Sequence, residues 1–143
     1  DSINEMMELA VKESGNKLAF KYKINDDVKE VTYKEFQNDT IYLGTALHSL
    51  GITESHVAVI GENSYNWITV YLTVLKSHSV IVPVDKELPV NEIENIAKRS
   101  KVSAIIYSAK KADDIKKVRE NLPDVKYLSM CSLILVLISC RNI

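Results

Sequence analysis

The sequence predicts an α/β protein: an N-terminal β-hairpin followed by a doubly wound, mostly parallel sheet with helices on both faces. Three observations carry that expectation. Short apolar segments centred near Ala58, Val82, Ile105 and Tyr127 recur at near-equal intervals, and a helical pattern fills each gap. The segments are apolar almost throughout, as strands covered on both faces are. The stretch Val57–Asp85 then reads as strand, turn, apolar helix and strand, which is a βαβ unit. Right-handed crossovers are the expected connection between such parallel neighbours.

The elements follow in order. Ser2 and Glu5 have the Ser-x-x-Glu spacing of a capping box ahead of Met6, Met7, Leu9 and Ala10, so a short amphipathic helix ending at Gly15 is predicted. Leu18, Phe20, Tyr22 and Ile24 alternate with Lys17, Lys21 and Lys23, the pattern of a half-exposed strand. Asn25-Asp26-Asp27 supplies turn chemistry and Val28–Val31 returns as the hairpin partner. Thr32 and Glu35 repeat the capping box, and the helix they open runs to Leu50. Phe36, Leu43, Leu47 and Leu50 line one face of it, with Gly51 at its stop. Pro89 opens the helix that carries Ile93, Ile96 and Ala97 inward. Ala112, Ile115, Val118 and Leu122 stripe the next helix, which Pro123 closes.

The end breaks this rhythm. From Ser129 to Ile143 only Arg141 is charged, and Leu133–Ile138 is uninterrupted apolar sequence. Met130–Cys140 is too short to span a bilayer, which takes about 20 apolar residues. The domain is read as residues 1–129, with 130–143 an atypical apolar tail that does not continue the fold and promotes aggregation. A buried last strand is the alternative reading of the same run.

Composition excludes several classes. The 143 residues carry 18 basic and 19 acidic side chains, a net charge of −1, with 46% hydrophobic and 26% charged residues. That is an ordinary globular mixture, long enough to bury a core, and it lacks the basic stripe of a nucleic-acid binder. Cys131 and Cys140 match no zinc spacing and are too few for a disulfide scaffold, which points to a reducing, cytoplasmic setting. The first residues mix charge and apolar character, unlike a signal peptide. No initiator Met stands at position 1, as expected of a chain that begins inside a longer protein.

No catalytic, cofactor-binding or metal-binding residue is assigned from the sequence. The four glycines, Gly15, Gly44, Gly51 and Gly61, cannot build a dinucleotide or Walker-type phosphate loop. Gly61-Glu62-Asn63 follows a strand where ligands bind in such sheets, but a turn plus the N-cap of the next helix is the preferred account of it. His48, His56 and His78 have no carboxylate or cysteine at triad or ligand spacing. Asp85 is read as a turn or capping residue, Trp67 and Tyr71 as core, and Glu92 and Glu94 as a solvated helix face.

Three stretches taken together resemble the opening of the AMP-forming acyl-adenylate family, which includes acyl-CoA synthetases, nonribosomal adenylation domains and luciferases. Val31-Thr32-Tyr33-Lys34-Glu35-Phe36 resembles the family's early T-Y-x-E stretch, and Leu43 through Leu50-Gly51-Ile52 resembles the helix that follows. His56–Ile60 resembles its next strand, and Leu75-Lys76 through Val82-Pro83-Val84-Asp85 its LKAGxxxVPLD motif. The likeness continues through Leu88-Pro89, Glu92-Ile93 and Ala104–Ser108 and covers about residues 1–129. Gly61-Glu62-Asn63-Ser64-Tyr65-Asn66-Trp67 is most similar to the long-chain fatty acyl-CoA synthetase branch.

The resemblance implies a complete enzyme that uses ATP, Mg and coenzyme A to turn a fatty acid or other carboxylate into its acyl-CoA. Ser77-His78 replaces the Ala-Gly of the LKAG motif, so His78 has to occupy a turn that glycine suits. The family's Ser/Thr/Gly-rich phosphate loop, aromatic–Thr–Glu motif, ribose-binding Asp and catalytic Lys have no counterpart in these residues. The expectation is therefore an N-terminal fragment, inactive alone, with self-association through exposed apolar surface. A standalone α/β binding module, an adenylation domain for another carboxylic acid and a degenerate product without function are the rival readings.

Overall fold

In the computed structural model, residues 2–141 are described, with the backbone alone for Val136, Ile138, Cys140 and Arg141. A two-stranded antiparallel hairpin stands beside a four-stranded parallel sheet of order β4-β3-β5-β6. The elements run α1 (Ile3–Ser14), β1 (Leu18–Ile24), β2 (Asp27–Thr32), α2 (Tyr33–Ser49), β3 (His56–Ile60), α3 (Tyr65–Lys76) and β4 (Val80–Val84). They continue as α4 (Val90–Arg99), β5 (Ala104–Tyr107), α5 (Ala112–Asn121), β6 (Lys126–Ser129) and α6 (Met130–Arg141). The α/β class, the hairpin, the parallel pairing and the two helical layers are those the sequence predicts.

Both predicted capping boxes form. Ser2 Oγ accepts from the Glu5 amide at 3.1 Å while Glu5 Oε2 accepts from the Ser2 amide at 2.9 Å. Thr32 and Glu35 repeat the exchange at the start of α2, at 3.2 and 2.7 Å. Each pair satisfies two amides that the first helical turn would leave bare.

One core lies on each face of the parallel sheet. Leu43 and Leu47 of α2, Val70 and Val74 of α3, and Met130, Leu133 and Leu137 of α6 pack over Val57, Val59, Ala104 and Ile106. On the opposite face Ile93 and Ala97 of α4 and Ile115 and Val118 of α5 pack over Ala58, Ile60 and Ile105. Alternate residues of β3 and β5 thus serve opposite layers, which is why those strands read as continuous apolar runs. The hairpin belongs to a third cluster, where Phe20 meets Phe36 edge-on at 4.8 Å between ring centres and Tyr22 stacks on Tyr65 at 5.1 Å. Within it the buried Asp39 carboxylate accepts from the Tyr65 hydroxyl at 2.6 Å.

Three details correct the sequence reading. The apolar run after Ser129, expected as a tail outside the fold with a buried strand as the alternative, is a helix packed on the sheet. Ser129 Oγ accepts from the Ser132 amide at 3.1 Å and starts a turn. Met130, Leu133 and Leu137, at helical spacing, then cover the sheet beside α2 and α3, while Leu135 on the other side is 66% exposed. An unbroken apolar run carries no period that separates strand from helix, so the uncovered sheet face decides. Leu50 is the second case: as the C-cap of α2 it is exposed, because it has left the helical face that Leu43 and Leu47 share. Finally, Trp67 and Tyr71 are only half-buried and stack on each other at 5.1 Å, so they border the core more than they fill it.

Candidate functional site

In a parallel α/β sheet, ligands bind beyond the carboxyl ends of the strands, where neighbouring connections leave towards opposite faces. Here that point lies between β3 and β5. The chain leaves β3 through α3 on one face to reach β4, and leaves β5 through α5 on the other face to reach β6. The paired register Ile60 to Tyr107 brings Gly61 beside Ser108 at the mouth of this crevice.

The approach is close. The Ser108 amide donates to the Ile60 carbonyl at 3.0 Å. A Cβ on Gly61 would lie 2.8 Å from Ser108 Cβ, 3.1 Å from its Oγ and 3.4 Å from Met130 Cε. Glycine is therefore required at position 61 for space, not for an unusual φ. Ser108 is buried and its Oγ has no hydrogen-bond partner among the described residues. Burial works against ionisation of the neighbouring Glu62. The Glu62 backbone amide, the Ser108 dipole, Lys110 and Lys86 together outweigh it and hold the carboxyl below its ordinary range. Ser108 thus favours the carboxylate electrostatically without completing a hydrogen bond of good geometry.

On the β4 side a small cavity of about 240 Å³ is lined by Gly61, Asn63, Trp67, Pro83, Asp85 and Lys86, among others. Asp85 is placed as the sequence suggests: its Oδ1 accepts from the Glu87 amide at 2.9 Å and closes a turn. Lys86 Nζ pairs with Glu87 Oε1 at 2.7 Å. Lys111 Nζ reaches the Lys86 carbonyl at 2.9 Å and Asp114 Oδ2 at 2.7 Å, tying the ends of β4 and β5 together. Cations and carboxylates alternate along this edge, so it presents no single-sign field to a charged ligand.

The histidines lie elsewhere. His56 starts β3, with Nδ1 2.6 Å from the Ser100 carbonyl. His78 precedes β4, and His48 is exposed near the end of α2. None stands at the carboxyl edge, so no imidazole meets the hydroxyl of Ser108. Glu94, read as solvated, accepts from Asn121 Nδ2 at 2.8 Å and links α4 to α5. Among the described residues no three His, Cys, Asp or Glu side chains converge as metal ligands. Sequence reasoning passed over Ser108. The regular strand spacing places it opposite Gly61 once β3 and β5 are taken as neighbours, and it is that pairing the sequence does not state.

The sequence pattern described as AMP-binding enzyme matches residues 7–138, which extends into α6. Acyl-CoA synthetase ALT10 of Alternaria alternata is 35% identical over 79 residues, covering 54% of this chain and 14% of that protein. Long chain acyl-CoA synthetase 2 of Arabidopsis thaliana is 27% identical over 121 residues, 80% of this chain and 18% of that protein. The chain therefore spans less than a fifth of either relative. Among solved structures, the N-terminal domain of FACL13 from Mycobacterium tuberculosis superposes with a TM-score of 0.87 at 24% identity, covering 97% of this chain and 36% of that one. At that identity the likeness concerns the fold.

Proposed function

Because this chain belongs to the AMP-binding enzyme family, we propose that it is the N-terminal part of a long-chain fatty acid–CoA ligase. The complete enzyme would convert ATP, a fatty acid and coenzyme A into acyl-CoA, AMP and pyrophosphate. The observation that carries the proposal is the family match over residues 7–138, which takes in nearly every element of both layers. Two features support the long-chain assignment: the Gly61–Trp67 stretch, and the Arabidopsis long-chain relative that aligns over 80% of the chain.

The residues present do not fit Mg-ATP. The carboxyl edge holds no glycine-rich amide cradle, Lys86 and Lys111 are engaged with Glu87, Asp114 and the Lys86 carbonyl, and among the described residues no three His, Cys, Asp or Glu side chains converge for a cation. No step of adenylate chemistry is assigned to them. What this part contributes is a rigid scaffold, with its open carboxyl edge as the surface on which chemistry-bearing residues would be built.

The test is ATP–pyrophosphate exchange by the 143-residue chain with palmitate, Mg²⁺ and ATP. Background exchange is expected, and exchange above background would overturn the claim that the adenylation machinery lies elsewhere. For the substrate, the longer protein that contains this chain is offered palmitate, octanoate, benzoate and free amino acids. Preference for palmitate is expected; preference for an aryl or amino acid would refute the long-chain assignment.

A further inference from the structure

We propose that Lys76 is an N-acylation site, its side-chain amine accepting the acyl group of an acyl thioester that enters the groove between α2 and α3. This groove has a volume of about 760 Å³ and opens to solvent away from the carboxyl edge. Lys76 leaves the last turn of α3 with its stem half-buried, and its Nζ donates to Thr40 Oγ1 at 2.9 Å. The Thr40 hydroxyl proton is already committed to the Gln37 carbonyl at 2.7 Å, so Thr40 can only accept. An amine held this way spends one N–H on Thr40 and keeps its lone pair free.

Three further hydroxyls on the α2 and α3 walls of the groove are spent in the same manner. Thr45 donates to Ile41 at 3.0 Å, Thr73 to Thr69 at 2.6 Å and Ser77 to Val74 at 2.9 Å, each to the backbone carbonyl. Among the described residues, Thr40 Oγ1 is the side-chain hydrogen-bond partner of Lys76 Nζ. Among the described residues Lys76 makes no ion pair. Burial exceeds the opposing pull of Glu8 and draws the amine below the usual lysine range, which enlarges its neutral fraction. The wall at Gly44 is loosely packed, since a Cβ there would make only ordinary contact with Thr73 Cγ2 at 3.6 Å.

In the reaction the neutral amine attacks the thioester carbonyl carbon. A C–N bond forms, the C–S bond breaks, and the sulfur departs as thiolate. Water carries the proton lost by nitrogen to that thiolate, so the products are an amide and a free thiol with no redox change.

The experiment treats the 143-residue chain with acetyl-CoA at mildly alkaline pH and follows each lysine by peptide mass spectrometry. Lys76 is expected to acetylate several-fold faster than the exposed Lys17, Lys29 and Lys101. That selectivity should vanish in urea, and Thr45→Trp, a substitution on the exposed rim, should slow Lys76 alone. A Lys76 rate at or below that of the exposed lysines overturns the proposal, as does selectivity that survives unfolding or an unaffected rate in Thr45→Trp. Because the thioester is supplied, the result does not depend on the ligase reading.

Discussion

His78→Gly should stabilise this protein. Three helices end in the same way: the amide two residues past the C-cap reaches back to a carbonyl in the last turn. Ile52 reaches Leu47 at 2.9 Å, Ser79 reaches Val74 at 3.3 Å and Val102 reaches Ala97 at 3.1 Å. In each, the intervening residue adopts left-handed backbone, at φ 73° for Gly51, 57° for His78 and 51° for Lys101. Only the first is glycine. A Cβ in this region costs roughly 1–2 kcal/mol, and the greater freedom of unfolded glycine takes back about 0.5–1 kcal/mol. The imidazole is exposed, so few contacts are lost. The net gain is about 0.5–1 kcal/mol, a rise of roughly 0.3–0.5 M in the urea midpoint at a slope of about 2 kcal/mol/M, or about 2–5 °C in Tm. His78→Ala keeps the Cβ and should gain nothing. An unchanged midpoint in His78→Gly, or an equal rise in His78→Ala, would refute the strain argument.

Gly61→Ala forces a methyl against Ser108 and should cost roughly 1–3 kcal/mol in urea unfolding, with Ser108→Gly in the same chain restoring most of the loss. Leu133→Ala should cost about 2–4 kcal/mol, and the exposed Leu135→Ala under about 0.5 kcal/mol; equal effects would mean α6 does not dock by the face described. The Lys111 ammonium, bonded to Asp114, holds that carboxyl below its ordinary value. Its contribution is therefore present above the unfolded value near pH 4 and fades as pH falls through the lower folded value. Asp114→Asn should cost no more than about 0.5–1 kcal/mol at pH 7, this being a partly exposed pair, and the difference from the parent should close in strong acid.

Much of the architecture is legible in the residues because it rests on local rules. Ser2–Glu5 and Thr32–Glu35 announce helix starts through backbone chemistry that needs no neighbour. The period of Phe36, Leu43 and Leu47 marks an inward face, and the apolar runs at β3 and β5 mark strands covered twice. The β-hairpin follows from Asn25-Asp26-Asp27, where Asn25 takes φ 54°. The family resemblance of the stretches from Val31 to Asp85 rests on the same local order of elements.

What the sequence left open depends on surfaces that meet only after folding. The run Leu133–Ile138 suits a strand or a helix, and it is a helix because α2 and α3 leave part of one sheet face bare. The strand order β4-β3-β5-β6 is a choice among crossovers, and only it sets Gly61 against Ser108 and defines the crevice. The α2–α3 groove, and the lone pair it leaves on Lys76, likewise come from residues 36 positions apart. By itself the sequence determined which segments before Ser129 are helix and strand and which family they resemble, since capping, periodicity and turn chemistry act over a few residues. Tertiary structure alone decided which ends adjoin and which side chains lose their water, because those are properties of packed surfaces.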